Sequence, residues 1–535
     1  MTDSNFRDVS ISPADSKALN LEYVTHEQLV IAKTKHLQKI ITSVEVLDFA
    51  TMAHQDKAEY IAELRDDLKK AKNSDDKQVI REKLKHFEPG EKVKASMIII
   101  DLLAIAERKN FDLSYMDGQV FCYNGRYWEH IDDSLFKTFL AIVAEKTGID
   151  KFQAIKAEFK DLLFKQFSSS ANVPSNIEND INKVVINLKD QAFVCEGNKT
   201  EFKPFDKNDY KKYCLPFAYD PKAECPKFQK FLDRVLPSKD MQEIVREYIG
   251  YIFTDLKLEK ALFFIGDGAN GKSTLIYIIA ALLGAKHNVC YNSVGNLCDK
   301  SGYYRTGLSN YLLNVCTEFS SRFDPQILKQ LISGEDITAR TVFREPVTIS
   351  NYCKFIFSAN VFPKKDIEHS HGFNRRLLIL FFNETIPPEE QDPHLADEII
   401  KEELSGIFNW MLKGLERIVL NKKFSITPEV QQGINYFHKQ NDTILLFIDE
   451  FGYVNSTEEH VTLKVIYDEY RKFCEDSRLY PLSKPNFRKQ LESTLKFRVK
   501  DKCTNNATWV YCKKIEYIPK TEVENDNIIQ SFING

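Results

Sequence analysis

The fold is decided by residues 261–274, which read Ala261-Leu-Phe-Phe-Ile265-Gly266-Asp267-Gly268-Ala269-Asn270-Gly271-Lys272-Ser273-Thr274. The five apolar residues are typical of a buried parallel strand, and a helical pattern runs from Thr274 to Leu283. Between them stands G-x4-G-K-S, a loop whose backbone N–H groups surround phosphate groups together with a helix N-terminus. The spacing predicts that residues 266–274 bind a nucleotide, with Lys272 reaching the phosphates and Ser273 holding Mg²⁺.

A phosphate-binding loop needs an acidic partner that holds the metal ion and polarises the attacking water. Residues 311–318 read Tyr-Leu-Leu-Asn-Val-Cys-Thr-Glu, a largely apolar strand that ends in a carboxylate. Glu318 is therefore the candidate, and a glutamate that merely caps a core strand is the alternative. Because only one acid stands there, the sequence leaves open whether Glu318 serves as both metal ligand and catalytic base.

Two further motifs follow in the order expected of an NTPase. Residues 354–360 form another buried-strand pattern that ends in Asn360, which can orient water or sense the terminal phosphate, although asparagine also commonly ends strands. Arg375 and Arg376 precede the apolar run 377–382. Arginine in that place is usually surface charge, but in a ring-shaped NTPase it can stabilise transition-state charge in the neighbouring subunit's site. We predict this role for one of the pair, with Arg376 preferred.

The complete order of motifs resembles that of superfamily 3 helicases. Between Glu318 and Asn360 lies a further block, residues 327–346, which includes Leu-Lys-Gln-Leu-Ile-Ser-Gly-Glu-Asp-Ile-Thr-Ala-Arg. A closer likeness is to the helicase half of the phage, plasmid and poxvirus-type primase–helicases, over roughly residues 115–515. Three flanking elements carry it: Tyr123–Trp128, Phe217–Pro226 and Glu247–Tyr251.

This resemblance implies an AAA+-type core that works as a ring, usually a hexamer, and hydrolyses ATP with Mg²⁺. It implies that residues 327–346 form a helix and a β-hairpin that contact single-stranded DNA in the pore. Lys329, Arg340 and Arg344 are the residues carried over for pore or inter-subunit contacts, and a solvated basic face is the alternative for each. The paired carboxylates of the family's primase half have no recognisable counterpart before residue 115. We therefore predict a stand-alone helicase, with any primase activity on another chain.

The C-terminal segment has the outline of a winged helix, which is also found in this family. Helices are predicted at 462–474 and at about 484–495, followed by strands at 497–502 and 508–511. Residues 478–514 contain ten basic residues against two acidic ones, which favours salt-dependent binding to DNA. The side chains predicted to reach a DNA groove are Lys484, Asn486, Arg488 and Lys489. Contact with another protein is the alternative.

Composition bounds these interpretations. The chain has 535 residues and a net charge of −4, with 43% hydrophobic and 28% charged residues. These values exclude a uniformly basic coat and a disordered chain, but not a local basic channel. The start shows no signal-peptide pattern, and no apolar run approaches the ~20 residues that span a bilayer. Eleven cysteines without a C-x2-C pair fit a reducing compartment. We therefore expect no membrane partner and a cytoplasmic protein, in the host cytoplasm if the chain is viral or phage-encoded.

The predicted fold class is multidomain α/β and α, with a P-loop AAA+ parallel-sheet helicase core, helical N-terminal regions and a C-terminal winged helix. The predicted domains are a helical accessory region (1–110), a pre-helicase α+β region (111–200), a helical collar (201–255), the AAA+ core (256–385), a helical connector (386–440), the winged helix (441–518) and a flexible tail (519–535).

The leading hypothesis is an ATP-dependent, ring-forming replicative DNA helicase of a virus, phage or mobile genetic element. Its expected partners are single-stranded and forked DNA, further copies of the chain, origin duplex DNA and a separate primase. A non-unwinding AAA+ remodelling or loading ATPase is the alternative. A P-loop small-molecule kinase explains residues 266–273 but leaves Asn360, the two arginines and the basic C-terminal segment without a role.

Overall fold

The computed structural model describes residues 34–173, 180–197, 199–319, 323–341, 346–360, 371–428, 430–431, 442–477, 479, 481–493, 495–502 and 507–515. The chain divides into two compact units, Met1–Ile177 and Glu178–Gly535. This division falls inside the predicted region 111–200, and the predicted domain boundaries stay predictions. No helix in the described ranges is both long and apolar enough to cross a membrane.

The first unit is largely helical. Its helices are α1 (Lys35–Thr42), α2 (Phe49–Ala53), α3 (Ala58–Lys70), α4 (Ser74–Lys85), α5 (Glu91–Arg108), α6 (Asp133–Lys146), α7 (Lys151–Ala154) and α8 (Ala157–Ser170). An antiparallel sheet of β1 (Leu113–Met116), β2 (Gln119–Tyr123) and β3 (Trp128–Ile131) accompanies them. Helices α1, α5, α6 and α8 share one core with this sheet, which includes Ile40, Leu102, Phe139 and Leu163.

The second unit begins with a small antiparallel sheet and two helices. The strands are β4 (Lys183–Asn187), β5 (Ala192–Glu196) and β6 (Lys199–Lys203). The helices are α9 (Pro226–Val235) and α10 (Lys239–Ile252). Apolar side chains of both helices lie in the same core as the large sheet that follows.

A five-stranded parallel sheet forms the centre of the second unit. Its strands are β7 (Ala261–Ile265), β8 (Val289–Cys290), β9 (Leu313–Cys316), β12 (Lys354–Ala359) and β13 (Leu377–Phe381). Their spatial order is β13-β7-β12-β9-β8, and every neighbouring pair is parallel. Alternate side chains such as Leu262 and Phe263 enter separate cores on the two faces. Burial on both faces explains why these strands are continuous apolar runs.

The connections of this sheet are helices and one β-hairpin. They comprise α11 (Lys272–Leu283), α12 (Ala285–Asn288), α13 (Val294–Leu297), α14 (Pro325–Ser333), the antiparallel strands β10 (Ile337–Ala339) and β11 (Val347–Ile349), and α15 (His371–Asn374). Short 3₁₀ turns lie at Gln55–Lys57, Lys207–Asp209, Tyr303–Arg305, Leu308–Asn310 and Pro388–Glu390. The predicted helix at 274–283 begins two residues earlier, at Lys272.

Helices α16 (Leu395–Glu402) and α17 (Leu404–Asn421) complete the layer on one face of the sheet. The backbones of α10 and α17 touch, since a Cβ at Gly414 would lie 2.4 Å from the carbonyl oxygen of Arg246. Close by, the buried carboxylate of Glu247 accepts hydrogen bonds from Ser425 N at 2.8 Å and Ser425 Oγ at 2.6 Å. The Glu247–Tyr251 element therefore lies on α10, where Glu247 is hydrogen-bonded to Ser425 beyond the end of α17.

The C-terminal segment is built from α18 (Thr443–Glu450), β14 (Tyr453–Asn455), β15 (Val461–Thr462), α19 (Leu463–Asp476), α20 (Lys484–Ser493), β16 (Arg498–Lys502) and β17 (Ala507–Lys514). The long strand β17 pairs antiparallel with β14, β15 and β16. Helices α18, α19 and α20 cover one face of this sheet through a core of aromatic side chains, which includes Phe447, Tyr470 and Phe487.

Candidate active site

The loop between β7 and α11 requires glycine at two positions. Gly271, the residue before α11, has φ +82°, and a Cβ there would lie 2.5 Å from Cγ1 of Val235. A Cβ on Gly266 would lie 2.2 Å from the carbonyl oxygen of Phe382. Glycine is tolerated where a side chain would clash or where the backbone is left-handed. By contrast, a Cβ on Gly268 would meet no atom within 4 Å.

The ammonium group of Lys272 lies inside this loop. It donates to the carbonyl oxygens of Gly266 at 2.6 Å and Asp267 at 2.8 Å, and to Asn270 Oδ1 at 2.9 Å. Burial lowers the pKa of Lys272, and the charge of Asp267 opposes that effect. The lysine is therefore a cation placed among backbone groups at the start of a helix, where an anionic ligand is favoured.

Asn270 connects the loop to the chain that follows β13. Its Nδ2 donates to the carbonyl oxygen of Phe382 at 2.9 Å, while its Oδ1 accepts from Lys272. The backbone N–H of Ile386 also donates to the carbonyl oxygen of Ala269 at 2.8 Å. The sequence placed Asn270 in the loop but gave it no bracing role, because its partner lies 112 residues away.

Glu318 and Asn360 stand at the same edge of the sheet as the loop. Ala359 of β12 pairs with Ile265 of β7, and Phe357 of β12 pairs with Cys316 of β9. Continuing that register places Glu318 level with Ala359, one residue before Asn360. Both Glu318 and Asn360 are exposed. Since neighbouring strands are ~4.8 Å apart, Glu318 lies about 10 Å across the sheet from the strand that carries the loop.

The two predicted arginines lie at the opposite edge of the sheet. Leu377 at the start of β13 pairs with Ala261 at the start of β7, whereas the loop follows the other end of β7. A strand of five residues extends about 16 Å. Arg375 and Arg376 therefore cannot reach the loop of their own chain with their side chains.

The surroundings of the two arginines differ. Arg376 is buried, and its guanidinium donates to Ser333 Oγ at 2.7 Å and lies 3.3 Å from Glu259 Oε2. Arg375 is exposed and donates to the same carboxylate oxygen of Glu259 at 2.5 Å. Glu259 holds both arginines, and sequence reasoning missed it, because a partly exposed glutamate outside any helix or strand gives no signal.

Two of the three residues predicted to contact DNA in a pore, Lys329 and Arg340, lie in the described ranges. Lys329 lies on α14 and is partly exposed. Arg340 follows β10 and is exposed, with its guanidinium carbon 5.8 Å from the ring centroid of Tyr303. Arg344 lies outside the described residues.

The predicted C-terminal contacts lie on α20. Lys484, Asn486 and Lys489 are exposed. Arg488 instead forms hydrogen bonds with Asp501 at 2.9 and 3.1 Å and with Glu492 at 3.2 Å. The two acidic residues of the basic segment 478–514 thus both pair with one arginine.

The described residues place two oxygen-bearing side chains, Ser273 and Glu318, at the sheet edge where the loop lies. They contain no group of three or more His, Cys, Asp and Glu side chains that could hold a metal ion. Mg²⁺ commonly takes one or two protein oxygens and completes its shell with substrate phosphates and water. Ser273 at the start of α11 and Glu318 at the same sheet edge are both exposed and supply such oxygens.

Three protein families match separate parts of the chain. Residues 97–237 match the family described as "D5 N terminal like", and residues 439–526 match "Poxvirus D5 protein-like". Residues 264–376 match a family of unknown function, DUF5906. That last match spans the loop, Glu318, Asn360 and both arginines.

A curated relative is "Putative helicase L207/L206" of Acanthamoeba polyphaga mimivirus. It is 23% identical over 404 residues, which cover 68% of this chain and 40% of the relative's length. The chain therefore spans well under half of that protein.

Solved structures of the NrS-1 C-terminal region are also similar. One apo structure has a TM-score of 0.46 at 14% identity and covers 77% of this chain and 98% of its own. Another has a TM-score of 0.36 at 13% identity, over 62% and 96%. One D5 family thus matches residues before the loop, a second matches residues after it, and a viral protein is related to the chain. These matches confirm the resemblance of this chain to the poxvirus-type primase–helicases.

Proposed function

We propose that this chain is an ATP-dependent DNA helicase of superfamily 3 that works as a ring with Mg²⁺ as its cofactor. The observation that carries the proposal is the common sheet edge of three neighbouring strands, where the loop 266–271, Asn360 and Glu318 stand level. Ligands of open parallel sheets bind beyond the carboxyl ends of the strands. The relatedness to viral helicases supports the same conclusion.

Each residue of this edge has a role in hydrolysis of the terminal phosphate. Lys272 exchanges its loop carbonyls for phosphate oxygens, and the glycine backbone lets the nucleotide approach. Ser273 and Glu318 would hold Mg²⁺, which would neutralise charge on the phosphates when bound. Glu318 also polarises the attacking water, while Asn360 orients it.

The position of the arginines favours sites shared between subunits. Neither arginine can reach its own loop, so an arginine finger must act in a neighbouring copy. We assign this role to Arg375 and not to Arg376, which the sequence favoured, because Arg376 is buried and bonded to Ser333. Arg375 is exposed, and its partner Glu259 can release it.

DNA would contact two surfaces in this account. One is the β10–β11 hairpin with Lys329, Arg340 and Arg344, and the other is the C-terminal segment, which we interpret as a winged helix. The element order from α18 to β17 and the basic residues 478–514 support that interpretation. Origin duplex DNA and a separate primase stay predicted partners.

The test is the rate of ATP hydrolysis by the full chain with and without single-stranded DNA, beside strand displacement on forked DNA and native mass. We expect an oligomer whose ATPase rate rises with DNA and falls at least 100-fold in Lys272→Ala and Glu318→Gln. Lys286→Ala, at an exposed lysine on α12, is the matched control and should keep the full rate.

Other outcomes contradict the proposal in distinct ways. An oligomeric ATPase that ignores DNA would identify a remodelling or loading ATPase. A monomer that transfers phosphate to a small molecule would identify a kinase. Full activity of Lys272→Ala would remove the nucleotide from this loop altogether.

A further inference from the structure

The C-terminal sheet has one face that the described helices of this segment do not cover. Val510 and Cys512 of β17 are buried in the helical core, and Val499 of β16 packs against it. Side chains alternate along a strand, so the residues between these lie on the opposite face. We name this the outer sheet face and define it by Arg498, Lys500, Trp509, Tyr511 and Lys513.

The strand register groups aromatic rings and cations on the outer sheet face. Arg498 pairs with Tyr511, and Lys500 pairs with Trp509. The guanidinium carbon of Arg498 lies 4.9 Å from the ring centroid of Tyr511. His460 adds a third ring, 4.7 Å from Trp509 and 5.4 Å from Tyr511 between centroids.

These cations keep their charge available to a ligand. Arg498, Lys500 and Lys513 are exposed, and none of the ion pairs among the described residues involves them. Two exposed carboxylates, Glu458 and Glu459, lie in the turn before His460. They reduce the positive charge at one end of the face without pairing with its cations.

The helix that the sequence favoured for DNA is less suited. Arg488, at the middle of α20, is held by Asp501 and Glu492, and the described residues of α20 include one ring, the buried Phe487. The outer sheet face instead combines a cationic surface with partly exposed Trp509 and Tyr511. Proteins that hold single strands without sequence preference use this combination, in which bases stack on aromatic rings and cations follow the backbone.

We infer that the outer sheet face binds single-stranded nucleic acid, with bases stacked on Trp509 and Tyr511 and phosphates beside Arg498 and Lys500. This deepens the proposed function, on which it rests, because it gives the C-terminal segment the unwound strand and not the duplex groove as its ligand. Lys484 and Lys489 of α20 are then peripheral.

A local optical signal tests this inference in the full chain. Trp128 and Trp410 are buried, so a Trp128→Phe/Trp410→Phe background leaves Trp509 as the reporter. A 30-nucleotide oligo-dT should quench its fluorescence, whereas an abasic strand of equal length and charge should not. A 30-base-pair duplex should quench weakly. Equal quenching by the abasic strand, or oligo-dT binding without quenching, would overturn the inference.

Affinity measurements by fluorescence anisotropy supply the matched controls. Trp509→Leu should weaken oligo-dT binding by about 5- to 150-fold and remove the preference for oligo-dT over the abasic strand. Arg498→Gln/Lys500→Gln should weaken the binding of both oligo-dT and the abasic strand. Lys484→Gln/Lys489→Gln removes the same charge and should have little effect on either affinity. A larger loss in the α20 pair would contradict the inference.

This outcome is separable from the failure of the proposed function. If ATP hydrolysis is absent but Trp509 responds to oligo-dT, the inference about the outer sheet face is supported and the proposed helicase function is refuted. If DNA stimulates ATP hydrolysis but leaves Trp509 fluorescence unchanged, the proposed helicase function is supported and this inference fails. An acidic polypeptide that competes as well as oligo-dT would show that the face recognises charge alone, which also refutes base stacking.

Discussion

Substituting Gly271 by alanine perturbs a loop position that combines a left-handed backbone with close packing. At φ +82°, alanine costs ~1–2 kcal/mol relative to glycine. Its Cβ would lie 2.5 Å from Val235 Cγ1 and 3.2 Å from Phe231 Cε2. Carbon atoms prefer 3.5–4.0 Å, so α9 must move by about 1 Å, which costs ~1–3 kcal/mol. We expect a destabilisation of about 2–5 kcal/mol.

The assay is urea unfolding of the full chain, monitored by circular dichroism. The measured quantity is the free energy of unfolding for the transition that Gly271→Ala shifts. Gly268→Ala is the control, because its Cβ would meet no atom within 4 Å, and it should change stability by less than ~0.5 kcal/mol. Val235→Ala removes the clashing Cγ1. The double variant Gly271→Ala/Val235→Ala should therefore be at least ~1 kcal/mol more stable than the sum of the single changes. Strict additivity would refute the proposed clash.

Two further predictions concern packing and pH. Gly414→Ala places a Cβ 2.4 Å from the carbonyl oxygen of Arg246 and should destabilise the second unit by at least ~2 kcal/mol. Gly90→Ala, whose Cβ meets nothing within 4 Å, should not destabilise this unit. Equal urea midpoints of the two variants would contradict the prediction. The pKa of Asp48 is lowered, chiefly by hydrogen bonds from Arg65. The ionised carboxylate therefore contributes fully to the free energy of unfolding above the unfolded pKa of ~4, and this contribution is lost as the pH falls further. Because both side chains are about 40% exposed, Asp48→Asn should cost at most ~1 kcal/mol at pH 7 and progressively less as the pH is lowered below ~4. A loss that does not shrink on acidification would refute the ion pair.

The sequence was most informative where a residue acts through its neighbours in the chain. The strand 261–265, its loop and the following helix lie where the pattern predicted, since local geometry alone requires that order. Glu318 and Asn360 could be placed on strand ends because continuous apolar runs signal buried parallel strands. Which strands are adjacent depends on long-range pairing, and only the structure shows it.

Side chains whose role depends on distant partners were not predictable. The sequence favours Arg376 over Arg375 as the finger, but it cannot show the hydrogen bond from Arg376 to Ser333, 43 residues away. Arg488 was assigned to DNA, and its pairing with Asp501 needs the β16 strand to fold against α20. Charge counted along the sequence cannot show which cations are already paired.

The central claim is that each active site joins the loop of one subunit to Arg375 of the next, and complementation tests it most directly. Lys272→Ala and Arg375→Ala should each hydrolyse ATP at least 100-fold more slowly than the unmodified chain. When the two variants are mixed and allowed to exchange subunits, some interfaces regain both groups. We therefore predict that ATP hydrolysis reappears in the mixture, at a substantial fraction of the unmodified rate. A mixture no more active than its separate components, although native mass shows mixed oligomers, would contradict the shared site.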